Sequence, residues 1–224
     1  MKFALSIAGL LLAVVAALMV IPMLFHRDDG QPVSDQGLPW QVDALYGGKS
    51  RVFNLILGES TVADAREKLG KDMQIALIAA PGETGSVEAF YDNLSAGFIT
   101  GKMIITAELD ARTLAGMRER APKSEYMESS TRKIGLTAED QQKALMAPIR
   151  AISFIPSINL DPGMVEQRFG SPAERIRSSE TIEHFLYPDK GLDVVLDSKG
   201  KEVLQYVAPG HFAQMRDPLL AKKN

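Results

Sequence analysis

Two helix-ending glycines, Gly70 and Gly170, constrain most of what this chain can fold into. Asp161-Pro162-Gly163 opens a helix, with a carboxylate at the cap and proline at the first helical position. Val165 and Phe169 then lie on one face of a short helix, and Gly170-Ser171-Pro172 stops it. Glycine takes the left-handed cap there, and proline cannot continue the helix. The same signals stand earlier: Ser60 or Thr61 caps a helix over 62–69, Asp64 completes a capping arrangement with Thr61, and Gly70 ends it. After each glycine come a strand, a turn and an aromatic strand, Glu88-Ala89-Phe90-Tyr91 in the first case and Glu183-His184-Phe185-Leu186-Tyr187 in the second. This order predicts an α+β fold of two tandem modules, each with short helices packed on a small antiparallel β-meander. Two unrelated pieces of one α+β domain would give the same signals. A unit this size buries little apolar surface alone and needs a neighbour.

The remaining elements follow from local pattern. Residues 51–57 read as a strand by β-branched and aromatic content, as do 72–79, 87–91 and 102–109, with 92–101 as a turn. A helix is expected over 110–121 and a weaker strand over 125–134. A second helix, opened by Thr137, runs to about Ile149, with Leu145, Met146 and Ile149 facing the second module. The run 152–160 reads as a strand or as extended core. Strands over 175–178, 181–187, 192–196 and 202–207 complete the second module, and the residues after Pro209 read as a loosely held tail.

Residues 3–25 contain no charge, enough to span a hydrocarbon core of about 30 Å as a helix. The run exceeds what a cleaved signal peptide needs, although Val15-Ala16-Ala17 offers a small-residue cleavage site. The expected organisation is a transmembrane anchor over 1–26, a tether over 27–50, a first module with its connecting helix over 51–135, a second module over 136–210 and a tail over 211–224. Lys2 and the short amino-terminal tail favour a cytoplasmic N-terminus, a single pass of the bacterial inner membrane and a globular part in the periplasm.

A net charge of −3 among 224 residues argues against a nucleic-acid partner, which needs a basic face. The absence of cysteine excludes disulfides, thiolate metal sites, cysteine nucleophiles and an attached lipoprotein lipid. The three histidines, His26, His184 and His211, show no ligand spacing, and His184 reads as a packed or half-exposed strand residue. No catalytic, cofactor or metal residue is expected. Asp92 and Asp189, in corresponding turns, read as turn formers.

The segment from Leu55 to Gly70, with Leu55, Gly58, Ser60, Asp64 and Leu69-Gly70 at their spacings, resembles the BamE (SmpA/OmlA) envelope family. Tyr187-Pro188-Asp189-Lys190-Gly191-Leu192 followed by Val203-Leu204-Gln205-Tyr206-Val207 is similar as well. The small fold, doubled, also resembles the β-lactamase-inhibitor protein, whose paired sheets form a concave protein-gripping surface. The resemblance covers roughly 51–109 and 155–208, and the chain departs from it in having an apolar run where the family carries a lipidated cysteine. It implies an envelope protein that binds another envelope or membrane protein as an accessory or assembly subunit. Trp40, Tyr91, Asp92, Asn93, Phe98, Tyr187, Asp189 and Lys190 are the expected contacts. A lipid or small-ligand carrier with a cleft between the modules is the alternative, and a hydrolase with an unrecognised site is the third reading.

Overall fold

The computed structural model describes residues 37–127 and 130–221. The expected anchor and residues 27–36 of the expected tether lie outside the described residues. Among the described residues, no helix is long and apolar enough to cross a membrane.

Thirteen strands and five α-helices follow one another in the described residues. Strands β1 (Asp43–Leu45), β2 (Lys49–Val52) and β3 (Leu55–Ile56) form a three-stranded antiparallel sheet. Helix α1 (Val62–Leu69) leads to β4 (Gln74–Ala79), β5 (Ser86–Ala96) and β6 (Ile99–Ala107). Helix α2 (Ala111–Glu119), the hairpin β7 (Ser124–Tyr126) and β8 (Arg132–Ile134), and α3 (Ala138–Met146) come next. The chain continues through β9 (Ile149–Pro156), α4 (Pro162–Phe169), β10 (Glu174–Arg177), β11 (Ile182–Tyr187), β12 (Leu192–Asp197) and β13 (Val203–Val207), and ends in α5 (Ala213–Ala221).

The tandem-module expectation is overturned here. Strands β4 to β13 form one continuous antiparallel sheet in the order β10-β11-β12-β13-β9-β6-β5-β4-β8-β7. Strand β9 makes the join: Phe154 pairs with Met103 of β6 on one side and Leu204 of β13 on the other. Among the described residues the two meanders are not separate, because strands from both sides of the expected 135/136 boundary share a sheet. The physical reason lies in the apolar character of β9, where every residue except Arg150 is buried. A run apolar on both faces is a central strand, with bonding partners on each side.

Side chains alternate between the two faces. Leu77, Met103, Ile105, Ile152, Phe154, Leu204 and Tyr206 belong to the main core, which also contains Leu38, Val52, Phe53, Leu55, Leu57 and residues of α1 to α4. On the other face, Phe212 and Met215 pack with Ile176 and Leu186. The terminal segment read as loose is therefore a docked helix, with Arg216 Nε also 2.7 Å from Glu174 Oε2.

Other local departures have similar causes. The strand expected over 51–57 breaks at Phe53 and Asn54, whose φ values of 51° and 60° make a left-handed hairpin turn between β2 and β3. A bulky residue rarely accepts that conformation. Here the Phe53 ring lies 5.5 Å from both the Phe154 and Tyr206 rings, and its burial offsets the strain. The expected turn over 92–101 is mostly strand: β5 runs to Ala96, absorbing a register shift between Tyr91 and Leu94. Helix α3 ends at Met146, which is 70% exposed rather than facing a second module, and α3 contacts α1. Local capping signals hold. The Thr61–Asp64 capping box closes α1, and Asp161 accepts from the Met164 N–H at 2.8 Å to cap α4.

Candidate functional site

Sheet register collects several loops at one end. Gly101 pairs with Pro156, and Ser157 N–H donates to Thr100 O at 2.8 Å, so the β5–β6 tip meets the β9–α4 loop. The β10–β11 and β12–β13 turns lie at this same end, joined where Ser198 N–H donates to Thr181 O at 2.9 Å. The β4–β5 and β11–β12 turns lie at the opposite end.

The first feature of the loop end is an aromatic–cation cluster. Trp40 is half-buried and Phe98 is 50% exposed, with ring centroids 5.7 Å apart at 57°. The Arg168 guanidinium sits 4.6 Å above the Trp40 ring centroid. Such a stack contributes about 0.5–1 kcal/mol at an exposed site. Each partner has a rigid support. Tyr206 Oη donates to Pro39 O at 2.8 Å, which fixes the backbone before Trp40. Phe98 crowns the β5–β6 tip beside Gly97, whose φ of 63° suits a residue without a side chain. Arg168 projects from the last turn of α4, a favourable place for a cation. Ile158, 42% exposed, lies on the adjoining loop.

The eight expected contact residues divide. Trp40 and Phe98 come together, although 58 positions separate them in the sequence. Tyr91 and Tyr187 turn inward as equivalent anchors: Tyr91 Oη donates to Gly70 O at 3.0 Å, and Tyr187 Oη to Gly170 O at 2.9 Å. Burial pushes both phenols up to about 12. Asp92 is 2.8 Å from Lys102 Nζ, and Asn93 is exposed at the β5 irregularity. Asp189 and Lys190 occupy a short 3-10 turn, Pro188–Lys190, at the far end of the sheet.

The second feature was missed by the sequence reading. Ser178 Oγ lies 2.9 Å from His184 Nε2, and His184 Nδ1 lies 2.7 Å from Asp193 Oδ2. His184 and Asp193 are each 1% exposed, whereas Ser178 is half-buried at the end of edge strand β10. Burial raises the Asp193 carboxyl above the usual range, opposed by its hydrogen bond from His184. Asp193 Oδ1 is buried and has no hydrogen-bond partner. Hairpin arithmetic offered a signal for this pair. Once Tyr187 pairs with Leu192, His184 and Asp193 fall on one face as diagonal neighbours. Among the described residues, no group of three or more acidic or histidine side chains could hold a metal ion.

No family model matches the chain, and neither the curated proteins nor the solved structures contain a match to it.

Proposed function

We propose that this chain is a single-pass inner-membrane protein of the bacterial envelope whose periplasmic part binds another envelope or membrane protein at the loop end of its sheet. The observation that carries this reading is the Trp40–Phe98–Arg168 cluster. Aromatic and arginine side chains dominate the energetics of protein interfaces. The stacked guanidinium keeps N–H donors at its edge, so the matching surface offers an apolar side chain beside a carboxylate.

Two further facts favour the loop end over the sheet edges. Edge strand β10 reads Glu174-Arg175-Ile176-Arg177, and edge strand β7 has three exposed residues. Charged or very short edges resist pairing with a foreign strand. The apolar run 3–25 supports the membrane attachment. Residues 26–39, which connect it to Trp40, span at most about 50 Å when fully extended, which sets the greatest distance of Trp40 from the bilayer.

The test is affinity capture of the full-length chain from detergent-solubilised native membranes, comparing wild type with a Phe98→Ser, Arg168→Glu double variant. Both residues are exposed, so folding persists. The reading expects a specific co-purifying protein whose affinity falls at least about 30-fold in the variant, matching a hot-spot loss of about 2 kcal/mol. Equal recovery by the two proteins, or recovery of no partner by either, would overturn it.

A further inference from the structure

Beyond protein binding, the fold places a nucleophile, a base and an orienting carboxylate in one line. We propose that Ser178, His184 and Asp193 form a nucleophilic site in which Ser178 Oγ accepts acyl groups from small, activated esters. The contacts run Ser178 Oγ to His184 Nε2 at 2.9 Å and His184 Nδ1 to Asp193 Oδ2 at 2.7 Å. A nucleophile within hydrogen-bond reach of a base, itself oriented by a third group, is how such sites are recognised on unrelated folds.

Three features separate this line from an ordinary buried histidine. The first is a gradient of exposure. Asp193 and His184 are 1% exposed, while Ser178 sits half-buried where β10 gives way to the turn, so the nucleophilic end of the line faces outward. Second, the turn is rigid. Ser179 Oγ accepts from the N–H groups of Thr181 and Ile182 at 3.2 and 3.1 Å, and Ser178 N–H donates to Ile182 O at 3.1 Å. Ser178 is therefore held against the imidazole rather than left to rotate away with a loose loop. Third, the imidazole is held from both sides. Strand register puts Ile176 of β10 and Val195 of β12 opposite His184, and Asp193 is the ionisable side chain that contacts the ring.

The unpaired Asp193 Oδ1 fits the same role. The carboxyl commits one oxygen to Nδ1 and has no second hydrogen-bond partner, so it orients the ring with Nε2 toward Ser178. The site lies at an edge strand in an open setting, so it suits small electrophiles rather than a large enclosed substrate.

The step balances without a cofactor. As the Ser178 Oγ–acyl carbon bond forms, the serine proton passes to His184 Nε2. The ester C–O bond breaks, and His184 returns that proton to the departing alcohol. Water then attacks the acyl-serine with His184 as base, which releases the carboxylic acid and restores Ser178. Asp193 touches neither substrate nor the reacting atoms and serves as a positioning residue.

The test uses the full-length protein in detergent with a fluorophosphonate probe. Its P–F bond breaks as Ser178 Oγ bonds to phosphorus, and the adduct is mapped by peptide mass spectrometry. The proposal expects one adduct at Ser178, none in Ser178→Ala, and unchanged labelling in Ser179→Ala. Without the general base the labelling rate falls about 10²–10⁴-fold in His184→Phe. If that variant does not fold, Asp193→Asn supplies the same comparison. A further readout distinguishes positioning from mere support. A downfield imidazole N–H proton resonance is present in wild type and absent in folded Asp193→Asn. No adduct at Ser178, equal labelling of Ser179, or a rate unchanged in folded Asp193→Asn would overturn the proposal.

Discussion

Phe154→Ala is the sharpest perturbation of the single sheet. Phe154 is 0% exposed at the centre of β9, bonded by register to both β6 and β13, and its ring meets Phe53 at 5.5 Å. Truncating a buried phenylalanine costs about 3–5 kcal/mol through lost transfer energy and the cavity left behind. The tilted ring pair with Phe53 places this site in the upper half of that range, at about 4 kcal/mol. With a urea m-value of about 2 kcal/mol/M, the unfolding midpoint should fall by about 2 M. Urea unfolding is followed by far-UV circular dichroism and by the fluorescence of Trp40, the sole tryptophan. Circular dichroism reports the whole sheet, and Trp40 reports the loop end. Because β9 belongs to both halves, both midpoints should move together within one cooperative transition. Two transitions, with only one displaced by the mutation, would refute the continuous sheet.

Other outcomes follow from particular contacts. Tyr206→Phe removes the 2.8 Å bond to Pro39 O from a fully buried site, and should cost about 1 kcal/mol by thermal melting and red-shift Trp40 emission as its support loosens. Glu88 is buried, and desolvation pushes its carboxyl up to about 7 against the stabilising hydrogen bond from Ser86. The folded state holds that proton more tightly than the unfolded state, so stability is lost as pH rises from about 4.5 through about 7. Glu88→Gln keeps the acceptor for Ser86 and should remove this loss, gaining roughly up to 3 kcal/mol over wild type at pH 8 and little at pH 4 in denaturant titrations. Gly101→Ala would drive a Cβ into Ile155 O and the Phe154 ring at the β6–β9 join, and should destabilise by at least about 2 kcal/mol in the same assay.

What could be read from the sequence was local. Thr61 with Asp64, and Asp161 with Pro162 and Gly170, place α1 and α4 because capping chemistry acts within one turn. The matching Tyr91 and Tyr187 signals were real, and each tyrosine closes the end of its helix through a glycine carbonyl. The signals failed where distant pairing decides. Nothing in 149–156 names β6 and β13 as neighbours, so two helix-and-meander echoes looked like two modules rather than parts of one sheet. Phe53 in a left-handed turn contradicts its own preference and is explained only by rings more than 100 residues away. Arg168 was hidden for the same reason, since its ring partner Trp40 lies in the tether as read from sequence. His184 looked inert because isolated histidines usually are. Its partners were readable only after the β11–β12 hairpin register was fixed.

The binding account is tested most directly by photocrosslinking in intact membranes. A photoreactive phenylalanine analogue is placed at Phe98 in one protein and at Tyr46 in another. Both side chains are well exposed, at 50% and 102%, but Tyr46 lies at the opposite end of the sheet, where Gly210 N–H donates to Gly48 O at 2.9 Å. The account predicts a discrete protein adduct from position 98, lost when Arg168→Glu is added, and none from position 46. An adduct from position 46 alone, or none from position 98, would contradict it.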